Sequence, residues 1–167
     1  MLNMKLSRAT VTIFITGIFI FSTGGGTTAA IIDSDGYFLD TNTGWYWYSE
    51  VGEFANQDWE TAQDNIDNLT KGGMIWELAS VSDIQTLSNY YIPDALLLNG
   101  IMPFTTPNKS IWGWLNDEGS SPDHKAVAGL FAKEATPKVD SAAESSKHPW
   151  VGAFAVAKPG NTPPQVP

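Results

Sequence analysis

Aromatic residues dominate two short runs, Tyr37 to Leu39 and Trp45 to Tyr48, and turn-forming residues precede each of them. Such runs favour β-strands. Neighbouring side chains of a strand point to opposite faces, so the four aromatic residues of the second run make both of its faces apolar. We expect its two tryptophans to pack on helices and its two tyrosines to lie under a loop or a neighbouring strand. The alternative is a surface platform on which sugar rings stack.

Two later stretches carry the period of an amphipathic helix. From Trp59 to Leu69 the apolar side chains recur at i, i+3, i+7 and i+10, which places them on one helix face. Ser80 and Asp83 have the spacing of a capping-box variant, which predicts that a second helix begins there and ends before Pro93. We expect both helices to share one hydrophobic interior with the strand at 45–48.

Strand patterns continue at 74–80, 110–116 and 126–132, and the segment 149–158 has the pattern of a closing strand. The polar segment at 134–148 is rich in small residues and predicts a long surface loop. The predicted order of elements is strands, a helix, a strand, a second helix and further strands. This order predicts an α+β domain.

The first 30 residues have the pattern of a secretory signal peptide. Lys5 and Arg8 form a basic start, and the apolar run at 11–21 is too short to span a bilayer. Thr28 and Ala30 are small residues that suit the positions before a cleavage site. We therefore predict a signal peptide at 1–30, export from the cell and cleavage after Ala30.

Cleavage leaves a single domain at 31–158 and a proline-rich tail at 159–167, which we expect to be disordered. Loss of Lys5 and Arg8 leaves 7 basic side chains against 18 acidic ones, a net charge of 7 − 18 = −11. This sign opposes binding to nucleic acid and to anionic membranes. We also expect no stable membrane span in the mature chain.

The chain contains no cysteine, which excludes disulfides, thiolate metal sites and cysteine nucleophiles. All 7 tryptophans lie beyond residue 30. Aromatic packing is therefore expected to stabilise the mature domain, and we assign Trp45, Trp59 and Trp76 to its core.

The segment WETAQDNIDNLTKGGMIWELASVSDIQTL, residues 59–87, resembles the first two helices of C-type-lectin-like domains. IWGWLND at 111–117 resembles the strand that follows the second helix, and HPWVGAFAV at 148–156 resembles the closing strand. The resemblance implies two helices packed on short antiparallel strands, with long loops. Sugar-binding members hold calcium through a Glu-Pro-Asn or Gln-Pro-Asp triplet, which this chain lacks. Calcium-dependent sugar binding is therefore not implied.

LDTNTGWYWY, residues 39–48, resembles the opening of bacterial exported proteins of the PEP-CTERM type, and Gly152, Phe154 and Val156 match their closing strand. The resemblance implies a protein of the cell surface or extracellular matrix. The sequence ends on Val166-Pro167, which is similar to the start of the Val-Pro-Glu-Pro sorting signal. We expect a sorting tail to follow in the complete gene product.

The loop that follows the strand at 110–116 gathers polar and acidic residues, and loops commonly carry binding residues. We place ligand contacts in this loop and in the preceding segment 94–109. The predicted ligand-binding residues are Trp112, Trp114, Asn116 and Asp117. Our default is a solvated acidic loop without a cofactor. The alternative is a calcium ion, for which the predicted ligands are Asp117, Glu118 and Asp123.

Motifs of common enzyme classes are missing: the sequence has no nucleophile elbow, no zinc-binding helix motif and no glycine-rich phosphate loop. We therefore expect a monomeric, non-enzymatic surface or matrix protein that binds a glycan or protein partner through its loops. Two alternatives stay open. One is a secreted polysaccharide hydrolase that uses paired carboxylates, and the other is a purely structural matrix protein.

Overall fold

The computed structural model describes residues 18–21, 29–34, 36–90, 102, 110–131, 134 and 136–160. Within these ranges the backbone forms two α-helices and ten strands, an α+β arrangement as predicted. The helices are α1 (Trp59–Asp67) and α2 (Val81–Tyr90). The strands are β1 (Ile18–Phe21), β2 (Ala29–Ser34), β3 (Tyr37–Asp40), β4 (Trp45–Tyr48), β5 (Glu77–Leu78), β6 (Ser110–Glu118), β7 (His124–Phe131), β8 (Lys138–Ala143), β9 (Val151–Ala153) and β10 (Ala155–Ala157).

The strands form two sheets. Six follow the order β1-β2-β3-β4-β10-β5, with every neighbouring pair antiparallel. The other four follow the order β8-β7-β6-β9, in which β9 runs parallel to β6. The prediction of a single closing strand at 149–158 is wrong. This segment forms two strands, β9 and β10, which belong to different sheets. Phe154 lies between them, fully buried, and its amide donates to the Trp114 carbonyl, so the chain passes from one sheet to the other there.

The strand β1 falls inside the segment that the sequence assigns to the signal peptide. It pairs with β2, from Ile18 opposite Ile32 to Phe21 opposite Ala29. The structure includes β1 and the start of β2, so cleavage after Ala30 stays a prediction. Removal of the first 30 residues would leave the part of β2 that pairs with β3, because that register begins at Ile31.

The strand β4 is apolar on both faces because each face contacts a different hydrophobic cluster. Trp47 is 0 % exposed and belongs to one cluster, whereas Tyr48 is 3 % exposed and belongs to the other. Trp45 and Tyr46 are partly buried and follow the same alternation. This arrangement confirms that the aromatic strand is structural, and it excludes a four-ring platform facing solvent.

The two helices contribute to different hydrophobic clusters, one on each face of this aromatic strand. Ala62 and Ile66 of α1 lie in the cluster that contains Tyr48, and Ile84 and Leu87 of α2 lie in the cluster that contains Trp47. The expectation of one shared interior is therefore wrong. A strand in the middle of a sheet has two faces to bury, and each face of β4 is buried in a cluster to which one helix and the other sheet both contribute.

Both helices begin where the sequence predicts, because side chains satisfy their first amides. Asp58 accepts a hydrogen bond from the Thr61 amide at 3.0 Å at the start of α1. At α2 the Ser80 amide donates to Asp83 at 2.8 Å, and the Asp83 amide donates to the Ser80 hydroxyl at 3.2 Å. These reciprocal bonds confirm the capping box.

The segment 134–148, predicted to be a loop, contains the edge strand β8. It pairs with β7 from His124 opposite Ala143 to Gly129 opposite Lys138. The sequence pattern did not predict β8 because its residues are polar or small. An edge strand is held by backbone pairing more than by apolar side chains. Neither helix in the described part of the chain has the length and apolar character needed to cross a bilayer.

Candidate functional site

The two tryptophans predicted to contact a ligand lie on β6, and neither forms an open surface. Trp114 is 0 % exposed, and its indole Nε1 donates to the Gln57 carbonyl at 3.2 Å, so it belongs to the core rather than to a binding surface. Trp112 is half-buried and packs edge to face against Phe131, with ring centroids 5.4 Å apart. The strand pattern placed both residues correctly on β6 but did not reveal how deeply its even-numbered face is covered.

The acidic residues at the end of β6 have structural partners. Asp117 Oδ2 accepts from the Val81 amide at 2.6 Å, so this carboxylate contributes to the N-terminal cap of α2. Glu118 forms an ion pair with Lys125 at 2.6 Å. Asn116 is exposed, and its backbone amide donates to the Ala79 carbonyl. Asn116 and Glu118 both lie exposed at the surface, whereas Asp117 is half-buried.

The predicted calcium ligands are not brought together. Asp117 contacts α2 and Glu118 contacts Lys125, whereas Asp123 lies further along the loop, at the edge of a separate groove. No group of three or more His, Asp or Glu side chains in the described ranges is placed to hold a metal ion. Of the predicted 94–109 segment, Met102 is described and is buried, and the remainder lies outside the described residues.

A different aromatic residue lies at the surface. The side chain of Trp150 is 50 % exposed, and the His148 ring lies beside it, with centroids 5.9 Å apart and planes inclined at 33°. Both belong to the segment between β8 and β9, which we call the 144–150 loop. The sequence analysis missed Trp150 because it assigned this residue to the closing strand. The preceding Pro149 favours a turn and was the available signal.

The first residues of the 144–150 loop border a groove of about 310 Å³. The groove is acidic, and its lining residues are Asp58, Glu60, Asp123, Ala143, Glu144 and Ser145. It is assembled from three parts of the chain that are distant in sequence: the start of α1, the β6–β7 turn and the end of β8. The Glu144 amide donates to the Asp123 carbonyl at 2.9 Å, which joins two of these parts.

Asp58 is the most strongly held carboxylate in this groove. Hydrogen bonds from Thr61, followed by one from Lys147, lower its pKa from 3.8 to about 2. The Lys147 ammonium lies 3.2 Å from Asp58 Oδ2. Asp58 therefore stays ionised across the physiological pH range and acts as a hydrogen-bond acceptor and counter-ion.

No protein-family model matches this chain, and neither a curated protein nor a solved structure is similar to it. The resemblances to C-type-lectin-like domains and to PEP-CTERM proteins therefore depend on the sequence motifs alone. The candidate site is defined by its geometry: an exposed Trp150, with the half-buried His148 beside it, on a loop whose first residues border an acidic groove.

Proposed function

We propose that this protein is an exported, non-enzymatic binding module that takes a carbohydrate ring against Trp150. The observation that carries the proposal is the half-exposed indole of Trp150, with the His148 ring beside it. An indole offers a large flat apolar area together with a polar N–H group, and this combination suits the apolar face and the hydroxyl rim of a sugar ring. The imidazole of His148 extends the surface by a second ring.

The acidic groove supports the same proposal by supplying hydrogen-bond acceptors. Ionised carboxylates accept hydrogen bonds from hydroxyl groups and donate none. Glu144 belongs both to the groove lining and to the loop that carries Trp150. A saccharide chain longer than one ring can therefore stack on the indole and direct further hydroxyls towards carboxylates.

Export is supported by the signal-peptide pattern of residues 1–30. A C-type-lectin-like arrangement is supported by the order of the motifs at 59–87, 111–117 and 148–156, together with the α+β architecture. On such a scaffold the binding residues lie in loops, as they do in the 144–150 loop proposed here. A location at the cell surface or in the extracellular matrix follows from the resemblance to PEP-CTERM proteins.

The hydrolase alternative needs a protonated carboxyl group that can act as a general acid. Asp58 is poorly suited to this role, because its pKa of about 2 keeps it ionised and because Thr61 and Lys147 occupy its oxygens. Asp58 is therefore assigned to binding rather than to proton transfer.

The test is binding of the full-length chain to a panel of polysaccharides, including cellulose, chitin, xylan and pectin, by pull-down and affinity electrophoresis. We expect retention by at least one polymer and a loss of about threefold to tenfold in affinity for Trp150→Ala. Ile75→Ala is the matched control, because Ile75 is also strongly exposed, at 54 %, and lies outside the loop. Failure to bind every polymer, or equal retention of the Trp150 variant, would contradict the proposal. Release of new reducing ends would instead identify a hydrolase.

A further inference from the structure

The 144–150 loop is fastened to the chain segment that leads into α1. The Asn56 amide donates to the His148 carbonyl at 2.9 Å, and the Trp59 amide donates to the Glu144 carbonyl at 3.0 Å. The ion pair of Lys147 with Asp58 adds a third contact, 3.2 Å long. The loop is thus held near both of its ends by residues 56–59.

Asn56 has an unusual backbone conformation at this junction. Its φ of 62° lies in the left-handed region, and no other non-glycine residue in the described part of the chain has a positive φ. Asparagine tolerates this region better than most residues, but the conformation persists only where surrounding contacts determine it. Here the left-handed backbone directs the Asn56 amide towards the His148 carbonyl.

We infer that Asn56 is a positioning residue that holds the Trp150–His148 pair in its binding orientation. The inference rests on the proposed function of this pair. The hydrogen bond ends on His148 itself, whose ring lies against Trp150, so the backbone of Asn56 fixes the residue that flanks the indole. Lys147 and Asp58 form a second and weaker fastening, because Lys147 is 56 % exposed and solvent screens the pair.

Two turns inside the loop make this external fastening effective. The Ser146 amide donates to the Ala143 carbonyl at 2.8 Å, and the Val151 amide donates to the His148 carbonyl at 3.2 Å. The His148 carbonyl therefore accepts from both Asn56 and Val151. A loop that is ordered before binding loses less conformational entropy when a ligand arrives, so positioning contributes directly to affinity.

The experiment compares Asn56→Ala with Asn56→Gly. Both variants remove the carboxamide, but only alanine disfavours the left-handed backbone, since glycine populates positive φ freely. The chain is labelled with 5-fluorotryptophan, and its Trp150 fluorine resonance is assigned with Trp150→Phe. Amide hydrogen exchange at positions 56 and 59 reports the two fastening bonds without any ligand.

We expect Asn56→Gly to retain the Trp150 resonance and the amide protection, and Asn56→Ala to shift or broaden the resonance and speed exchange at both amides. Polysaccharide affinity should fall about threefold to tenfold for Asn56→Ala relative to Asn56→Gly. Equal resonances and exchange rates in the two variants would overturn the inference. Loop disorder in Asn56→Ala without polysaccharide binding by any variant would support the positioning and overturn the proposed function.

A second pair of variants decides the matter if Asn56→Ala fails to fold. Lys147→Ala removes the ion pair with Asp58, and Lys147→Arg keeps a cation at the same position. We expect a smaller broadening of the Trp150 resonance for Lys147→Ala and its recovery for Lys147→Arg. An unchanged Trp150 resonance in Lys147→Ala, together with rapid exchange of the amides at positions 56 and 59 in the wild-type chain, would contradict the fastening of the loop to residues 56–59.

Discussion

At the scale of single residues, Gly152 lies where β9 passes the 3-10 helix at Val51–Phe54. A methyl group added at Gly152 would be only 1.9 Å from the Val51 carbonyl oxygen, which is backbone and cannot rotate away. We expect Gly152→Ala to destabilise the fold by about 2 to 3 kcal/mol, at the upper end of the usual cost of overpacking. The free energy of unfolding, measured with urea, tests this value.

Gly73→Ala serves as the matched control for Gly152→Ala. Gly73 has a positive φ of 66°, and an added methyl group would meet nothing within 4 Å, so its replacement tests backbone strain alone. Its cost should be about 1 kcal/mol. Equal losses of stability in the two variants would show that β9 and the 3-10 helix separate easily and that the close contact is not restrictive.

Residue exposure could be predicted only partly from the sequence. The run at 110–116 predicts that Trp112 and Trp114 point to the same face of the strand, but not that Trp114 is fully buried beside Gln57 whereas Trp112 is partly exposed. Burial there depends on α1 and β9, which come from distant parts of the chain. Exposure of Trp150 depends likewise on how the 144–150 loop lies on residues 56–59, which no local pattern specifies.

At the scale of the helix, Asp58 links the stability of α1 to pH. The ionised carboxylate accepts from the Thr61 amide and pairs with Lys147, and its pKa of about 2 lies below the ordinary 3.8. Because its pKa is lowered in the folded state, ionised Asp58 adds its full contribution to the free energy of unfolding above about pH 4. This contribution is lost as the pH falls towards 2. We therefore expect the stability of the wild-type chain to decrease through this window.

Two variants separate the cap from the charge of Asp58. Asn is also a good N-cap, so Asp58→Asn should retain the helix start but lose the charge, whereas Asp58→Ala should lose both. At neutral pH we expect the thermal midpoint to be highest for the wild type, lower for Asp58→Asn and lowest for Asp58→Ala. The gap between wild type and Asp58→Asn should narrow towards about pH 2. A constant gap at every pH would rule out the charge as its origin.

The elements that the sequence predicts well are those specified by local contacts. Both helix starts follow from side chains within three residues of each cap, and the aromatic strand follows from its own composition. The edge strand β8 and the division between β9 and β10 were not predicted. Both depend on backbone pairing between segments far apart in sequence, and small residues such as Ala142 and Ala153 give little indication of which strand they meet.

At the scale of the whole molecule, the two sheets are joined where β9 leads into β10, and a hydrophobic cluster covers each face of the aromatic strand. This arrangement gives a cysteine-free chain a large buried aromatic area. The full sequence carries a formal charge of −9, so copies of the chain repel one another. Charge repulsion of this kind favours the monomer that the sequence analysis predicts, provided that the open sheet edges do not pair.

The edge strand β8 is the place where two copies of the chain could pair. Val139 is 45 % exposed, and an open strand edge of this kind can accept a strand from a second copy. Asp140 opposes such pairing, because its Oδ1 accepts from the Ser141 amide at 2.8 Å and its charge lies on the edge. Asp140→Val removes both features, whereas Asp140→Asn keeps an acceptor oxygen. Sedimentation velocity should show a monomer for wild type and Asp140→Asn and self-association for Asp140→Val at about 100 μM; a monomeric Asp140→Val chain would show that Asp140 does not protect this edge.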